Sequence, residues 1–459
     1  MDWIAGYLEH ARDYPVLPAL KPGELTSQLP SSGPETGEPM DKLLEDFGSV
    51  IVPAMTHWNH PRFMAYFSTS ASGPGILGEM LSAALNVNGM VWKSCPAVVE
   101  LEQVTLAWLR EWMGLPEEFV GFIYDTASVS SMHAIAAARE MADPDARVHG
   151  TGAGTRGMLV MYTSEHSHSS IEKGAIAVGL GQESVRKIPV DSEFRMDVNA
   201  LRAAIEADRA AGMRPFCVVA TCGTTSTTSV DSIARIADVA GHYGLWLHVD
   251  AAYAGPAAII PEYRWLLDGA GRAQSLVMNP HKWLFTPIDI SALYTSRPDI
   301  LRRAFSLVPE YLKTAEDPKA VNLMDYGVPL GRRFRALKLW FVLRYYGREG
   351  IIRILREHIR YAQDLAKMIE QDPEFEIAAP HPLSVVCFRY RGSDEENRTL
   401  MDCVNATGRV FLSHTVLHGR YVIRLAIGNI ATTWDDVKSV WEEIKNSRSQ
   451  ETKKPRIPE

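Results

Sequence analysis

Cysteine is scarce and unpatterned in this sequence: Cys95, Cys217, Cys222, Cys387 and Cys403 are the only five among 459 residues, and no two stand at CxxC spacing. An odd, scattered set excludes a disulfide framework and suggests no zinc or other metal site, so a reducing cytoplasm is the expected compartment. Long apolar runs are missing too. No window approaches the roughly 18 uninterrupted apolar residues that a membrane span requires. The amino terminus, MDWIAGYLEHARDY, carries acidic residues at helical apolar spacing in place of a basic start and an apolar run, so it does not read as a signal peptide. Positive charge is not in excess: the formal net charge is -8. That argues against nucleic acid or an anionic membrane as partner, because either would need a basic face. Low-complexity tracts and internal repeats are absent as well, which leaves small-molecule chemistry as the favoured class.

What is present is the composition of a folded protein, 46% hydrophobic and 22% charged, in a chain long enough for two or three packed substructures. Residues 1–72 read as helices joined by the Pro/Gly/Ser-rich link LPSSGPETGEPM, an arm with little core of its own that is expected to wrap over another subunit or domain. Between 73 and 350 short apolar runs recur (GFIYDT, MLVMYTS, FCVVATC, LWLHVD, SLVMN, SALYTS), several followed by a helical pattern. This alternation predicts a large α/β domain on a mostly parallel sheet. Residues 351–446 mix amphipathic helices with apolar strands, predicting a small α+β domain, and the polar stretch 447–459 is expected to fray.

In an open α/β sheet, ligands sit outside the carboxyl ends of the strands. LWLHVDAAYAG places Asp250 at one such end, and SLVMNPHKWLF places Lys282 just beyond another, with Asn279 and His281 beside it. An amine next to a buried carboxylate can form an imine with an aldehyde cofactor, while the carboxylate keeps a pyridinium nitrogen protonated and makes the ring an electron sink. At an effective dielectric of about 20, charges ~4 Å apart interact by roughly 4 kcal/mol, or about three pKa units, enough to keep that nitrogen charged at neutral pH. Ala252 shares a strand face with Asp250 if the strand continues, and is small enough for a ring to lie flat against it. Singly, Asp250 is an ordinary strand-end cap and Lys282 a solvated lysine; it is their joint occurrence that points to a cofactor. YDTASVSSMHAIAAARE reads as strand, small-residue turn and helix start, a place for an anion. A plain N-cap by Ser128 or Ser130 fits the same residues equally well.

HVDAAYAG, NPHKWLF and PLGRRFRALKLWFVLRYYG resemble segments of the group II PLP-dependent decarboxylases, in particular the aromatic-L-amino-acid decarboxylases, and the likeness extends from THWNHPRFMAYF through LVMYTSEHSHSSIEKG to YVIRLAI. The resemblance implies fold type I (aspartate-aminotransferase-like): a large α/β domain, a small carboxy-terminal α+β domain, and an amino-terminal helical arm exchanged in a two-fold homodimer. It implies pyridoxal 5'-phosphate (PLP) as cofactor, and decarboxylation of tryptophan, 5-hydroxytryptophan, tyrosine or dopa to the amine and CO2. Lys282 is then the Schiff-base lysine, flanked by His281. Asp250 is the pyridinium partner, Ala252 lies under the ring, and His168 stacks over it and contacts substrate. Thr126, Ala127 and Ser128 hold the phosphate with help from Asn279, and Thr224 sits near the ring substituents. Without the family, His168 reads as a loop histidine or as half of an HxH pair with His166, and Thr224 as part of a polar turn.

The resemblance also implies a substrate pocket from Trp58, Tyr66, Phe67 and Thr69 with the NVNGMVW segment, although an aromatic cluster such as HWNHPRFMAYF is by itself equally a piece of core. Ser68 stands where the animal enzymes have proline, Asn88 and Met90 replace an apolar and an aromatic residue, and Gly350 leaves room for an indole. The segment SLVPEYLKTAEDPKAVNLMDYGVPLG corresponds to a loop that closes over the site. Counting back from PLGRRFR without gaps puts its proton-donating tyrosine at Leu323, with Tyr326 the nearest tyrosine. In the family, loss of that hydroxyl accompanies a switch to oxygen-dependent formation of an aldehyde. An aromatic acetaldehyde synthase is therefore the alternative activity, although retention of His168 favours the decarboxylase. Another PLP lyase, a transaminase or a non-catalytic scaffold are the remaining readings.

Overall fold

The computed structural model describes residues 2–151, 157–307 and 320–451. By packing, the chain divides into two units: Thr69–Ala362 with Ala379–Val385, and Met1–Ser68 with Gln363–Ala378 and Val386–Glu459.

The first unit carries a seven-stranded sheet of β1 (Val120–Tyr124), β2 (Leu159–Ser164), β3 (Val185–Ile188), β4 (Arg214–Thr221), β5 (Trp246–Asp250), β6 (Ser275–Met278) and β7 (Ser291–Thr295). The order is β1-β7-β6-β5-β4-β2-β3. β2 through β6 pair in parallel, and β7 runs antiparallel to both β6 and β1. β2, β5 and β6 are buried along their whole length. Such strands have no solvent side, which is why they are written as continuous apolar runs and not as an alternation. The large, mostly parallel sheet expected from the sequence is thus present, and the carboxyl ends of β4, β5 and β6 share one edge.

Two ionic groups sit inside this unit. Arg332, 4% exposed, donates to the carbonyls of Leu323 (3.0 Å) and Ile123 (2.6 Å) and pairs with Glu102 at 3.3 Å. Glu102 also accepts the Ile123 N–H at 2.8 Å. One buried cation therefore ties the end of β1 to the backbone at Leu323. Elsewhere the helices Gly73–Leu85 and Arg335–Glu370 touch backbone to backbone: a Cβ on Gly78 would lie 2.7 Å from Lys338 Cα. Lys338 itself is fully buried and pairs with Glu79 at 2.8 Å.

The second unit holds a four-stranded sheet in the order β10-β11-β9-β8, where β8 is Phe375–Ile377, β9 Val385–Tyr390, β10 Ser413–Leu417 and β11 Arg420–Ala426. β8 pairs antiparallel with β9, and β10 with β11. The amino-terminal segment is stitched into this unit. Met64 N–H donates to Phe411 O and Ala426 N–H to Met64 O, and Arg12 pairs with buried Asp436 at 2.6 Å. The first 68 residues, expected as an arm without a core, therefore group with the carboxy-terminal segments, and the boundary expected at 72/73 falls at 68/69. Residues 351–362 stay with the large sheet, because the helix Arg335–Glu370 carries the chain past the expected boundary. The last helix, Trp434–Glu451, continues past residue 447, where fraying was expected; residues 452–459 lie outside the described residues.

Burial lowers the pKa of several histidines well below the ordinary 6.5, to about 4 for His60 and His248 and to about 3 for His133 and His281. A group with a depressed folded-state pKa binds its proton more readily in the unfolded chain. Stability is therefore full above pH 6.5 and is lost as pH falls from there toward the folded-state values. Urea midpoints measured from pH 7 down to 4.5 should fall steadily. A His248→Gln variant should show a shallower fall, by on the order of 2 kcal/mol across the range.

Candidate active site

The site is built at the strand ends. Asp250 closes β5, opposite Thr221 of β4 and Val277 of β6. The carboxylate is 6% exposed, and its Oδ1 accepts the N–H of Ala252 at 3.1 Å, so the chain just beyond the strand orients it. Asn279 N–H returns the link by donating to Ala252 O at 3.1 Å. The chain then makes one short helical turn, Pro280–Trp283, in which Lys282 N–H donates to Asn279 O at 3.0 Å. Next to Lys282, the indole of Trp283 is fully buried, stacks on Tyr253 at 4.8 Å, and donates from Nε1 to His358 Nδ1 at 3.1 Å. That anchor fixes the backbone carrying the lysine.

His168 is the N-cap of the helix Ser169–Ala177, where its Nδ1 accepts the N–H of Ser170 at 3.2 Å and lies 2.8 Å from the Ser170 hydroxyl. With Nδ1 an acceptor, the neutral ring carries its proton on Nε2. Burial lowers the His168 pKa, the Lys282 charge lowers it further, and the Asp250 charge opposes both. The three groups singled out in separate segments of the sequence thus share one electrostatic neighbourhood. His166 instead packs edge-on against Phe194 at 5.4 Å.

The helix Ala127–Ala142 starts directly after β1 and Thr126 is its N-cap, without a side-chain capping bond. The Thr126 hydroxyl turns to Asp125 at 3.1 Å. Ser130 pairs with Ser291 at 2.8 Å, so Ser130 does not cap the helix. Ser128 is exposed and Ala127 partly so; the Val129 and Ser130 N–H groups donate to Thr126 O, whereas those of Ala127 and Ser128 precede the first intrahelical acceptor. Thr224 is fully buried, and its hydroxyl is used within its own turn, by Thr227 Oγ1 at 2.9 Å and Ser229 N–H at 3.1 Å.

Both ring nitrogens of His281 are engaged by the protein. Nδ1 accepts the Ile290 N–H at 3.0 Å, and Nε2 lies 3.3 Å from the Asn279 amide. His281 therefore reaches any ligand only through Asn279.

The expected substrate residues occupy two places. Trp58 stacks on Phe63 (4.2 Å) and Tyr66 (5.9 Å). Tyr66 is 53% exposed, whereas Phe67 is buried under the Arg424 guanidinium at 4.6 Å. These lie in the second unit, while Thr69, partly buried, begins the first. Asn88 spends its side-chain oxygen on the N–H groups of Met90 (3.2 Å) and Arg332 (2.9 Å), and Met90 packs on Val91 and Met324. Gly350 lies within the helix Arg335–Glu370, where a Cβ would meet only Tyr346 Cβ at 3.4 Å, so space remains around it.

The two residues weighed for the loop acid are both packed into the large unit. Leu323 is 1% exposed, with its carbonyl held by Arg332. Tyr326 stacks on Phe122 at 4.3 Å, its carbonyl accepts from the Tyr124 hydroxyl, and its charged neighbours are Arg302 and Asp325. The sequence reading also passed over His248. It stands two residues before Asp250, and its ring bridges Ser275 (2.8 Å) and Ser131 (3.2 Å). Strand alternation in HVD was the available signal.

A phosphorylated pyridine aldehyde fits this donor set. An amine, a buried carboxylate, an alanine and an imidazole come together, and the side-chain oxygen of Asn279 is buried without a hydrogen-bond partner among the described residues. The fold and the site define a fold-type-I, PLP-dependent enzyme. The "Pyridoxal-dependent decarboxylase conserved domain" matches residues 22–391. Among similar proteins are the phenylacetaldehyde synthase of Arabidopsis thaliana (40% identical, covering 98% of this chain and 94% of that one) and the tryptophan decarboxylase TDC1 of Camptotheca acuminata (41%, 97% and 91%). The crystal structure of Oryza sativa TDC with PLP and tryptamine superposes with a TM-score of 0.94 at 36% identity, covering 98% of this chain and 96% of that one. The chain belongs to the pyridoxal-dependent decarboxylase family and is a PLP-dependent carboxy-lyase.

Lys282→Ala should abolish turnover and the visible absorbance of the PLP-loaded protein together; turnover at the parent rate in that variant would remove Lys282 from the centre of the site.

Proposed function

We propose that the protein decarboxylates an aromatic L-amino acid of the tryptophan, 5-hydroxytryptophan, tyrosine or dopa class to the amine and CO2. The observation that carries this reading is the convergence of Lys282, Asp250 and His168 in one electrostatic neighbourhood at the carboxyl edge of the sheet. The names of the similar proteins support the aromatic class. Lys282 would hold the cofactor through its amine, Asp250 would keep its ring nitrogen protonated, and Ala252 and His168 would lie against the ring. Ala127, Ser128 and Asn279 face the phosphate. When bound, PLP supplies the sink for the electron pair left at Cα as CO2 departs. His168 stays neutral at pH 7 and offers Nε2–H to substrate without adding a positive charge beside Lys282.

Leu323 has no acidic proton and the ring of Tyr326 is stacked on Phe122, which favours another residue as the acid that returns a proton to Cα. Between Phe305 and Asn322 the sequence holds one tyrosine, Tyr311, which lies outside the described residues; we assign the acid role to it. The second reading, oxygen-dependent formation of an aldehyde, is favoured by the similarity to the Arabidopsis phenylacetaldehyde synthase. Exposed Met40, Leu43 and Leu44 near the amino terminus support a two-fold homodimer, and the five free cysteines support a reducing compartment, the cytoplasm.

PLP-loaded protein incubated in air with tryptophan, 5-hydroxytryptophan, tyrosine, dopa, phenylalanine and histidine should give amine and CO2 without peroxide. Aldehyde, ammonia and peroxide from the parent protein would establish the second reading. Tyr311→Phe should lower amine formation by about 10²–10⁴-fold and divert product to aldehyde; unchanged amine output would remove Tyr311 as the acid.

A further inference from the structure

The hydrogen-bonding sense around His281 settles a point that shape alone leaves open. The Ile290 N–H can only donate, and it meets His281 Nδ1 at 3.0 Å. Nδ1 is therefore without a proton. Burial keeps the ring neutral, with its pKa near 3, so the single ring proton is on Nε2. That Nε2–H faces the Asn279 side-chain amide at 3.3 Å. The NH2 end of an amide cannot accept it; the oxygen end can. The two ends have nearly the same size, and hydrogen-bond sense decides which way the group is turned. With Oδ1 toward His281, both ring nitrogens are satisfied. The position of the amide that is otherwise a buried oxygen without a partner then becomes an NH2 donor.

We propose that His281 is a positioning residue: by taking the Ile290 N–H at Nδ1 it holds its proton on Nε2, and so turns the Asn279 NH2 into the site as a donor to the phosphate of the cofactor. A neutral donor there recognises an anion through a charge-assisted hydrogen bond and would add little for a ligand without one. Backbone contacts hold Asn279 at the strand end, since its N–H donates to Ala252 O and its carbonyl accepts from Lys282 N–H. Rotation of the amide is thus the remaining freedom, and His281 removes it. This inference rests on the assignment of Lys282 and Asn279 to the PLP site.

The test compares dissociation constants for PLP and for pyridoxal, which lacks the phosphate, from the visible absorbance of the protein titrated with each. In the parent, PLP binds more tightly. His281→Asn keeps an acceptor near the Nδ1 position but loses the donor. It should lower the preference for PLP over pyridoxal about tenfold, with pyridoxal affinity unchanged. His281→Gln, which retains a donor near the Nε2 position, should recover most of the preference. Equal weakening of both ligands in His281→Asn, or no recovery in His281→Gln, would overturn the inference. Should the variants not fold, ¹⁵N histidine spectra of the PLP-loaded parent decide it: an unprotonated Nδ1 and a protonated Nε2 at His281 are expected, and the opposite tautomer would overturn it. Parent protein that shows no PLP-dependent absorbance would overturn the site assignment itself, a failure distinct from a parent that binds PLP and shows the wrong tautomer.

Discussion

Burying a carboxylate removes an ionic group from water, and the loss is recovered only where geometry is good and the remaining lone pairs find partners. Asp250 imposes that condition on its surroundings. The carboxylate is oriented by Ala252, the lysine-bearing turn is anchored by Trp283 on Tyr253 and His358, and the nearby rings of His168, His248 and His281 are kept uncharged by burial. Were His168 or His248 cationic, it would compete with the pyridinium for the Asp250 charge. Neutral histidines are thus as much a part of the site as its ionised groups.

The sheet was legible because its central strands are buried on both faces and must be written as apolar runs; LWLHVD and SLVMN needed no three-dimensional information. Asp250 was conspicuous for a related reason, since a charged residue at the end of such a run stands out. Other features were not. Grouping of the first 68 residues with the carboxy-terminal segments depends on Met64 pairing with Phe411 and Ala426, contacts more than 300 positions apart in the chain. The role of His281 depends on one backbone N–H nine residues later, and nothing in NPHKW marks it. Nor does the sequence mark Leu323 as a buried position whose carbonyl is held by Arg332.

Arg332 shows how the site is tied to its surroundings. Its side chain holds Ile123 and Leu323, and its backbone N–H is held by Asn88. Asn88 came to notice as a pocket residue of altered polarity, and the structure gives that polarity a local use: the side-chain oxygen accepts two backbone N–H groups. Arg332 and Glu102 form a pair in which loss of either partner leaves the other charge buried and uncompensated, a situation that typically costs about 3–5 kcal/mol.

The clamp of Ala252 N–H on Asp250 Oδ1 has a bearing on how the cofactor is taken up. A carboxylate free to rotate would surrender that freedom on binding, and the affinity would be lower by the entropy lost. Here a backbone amide already orients Oδ1 when the chain folds, so less of that freedom would be left to lose when a ring arrives. Cofactor recognition at this end of the site would then rest on a group that the fold has already oriented.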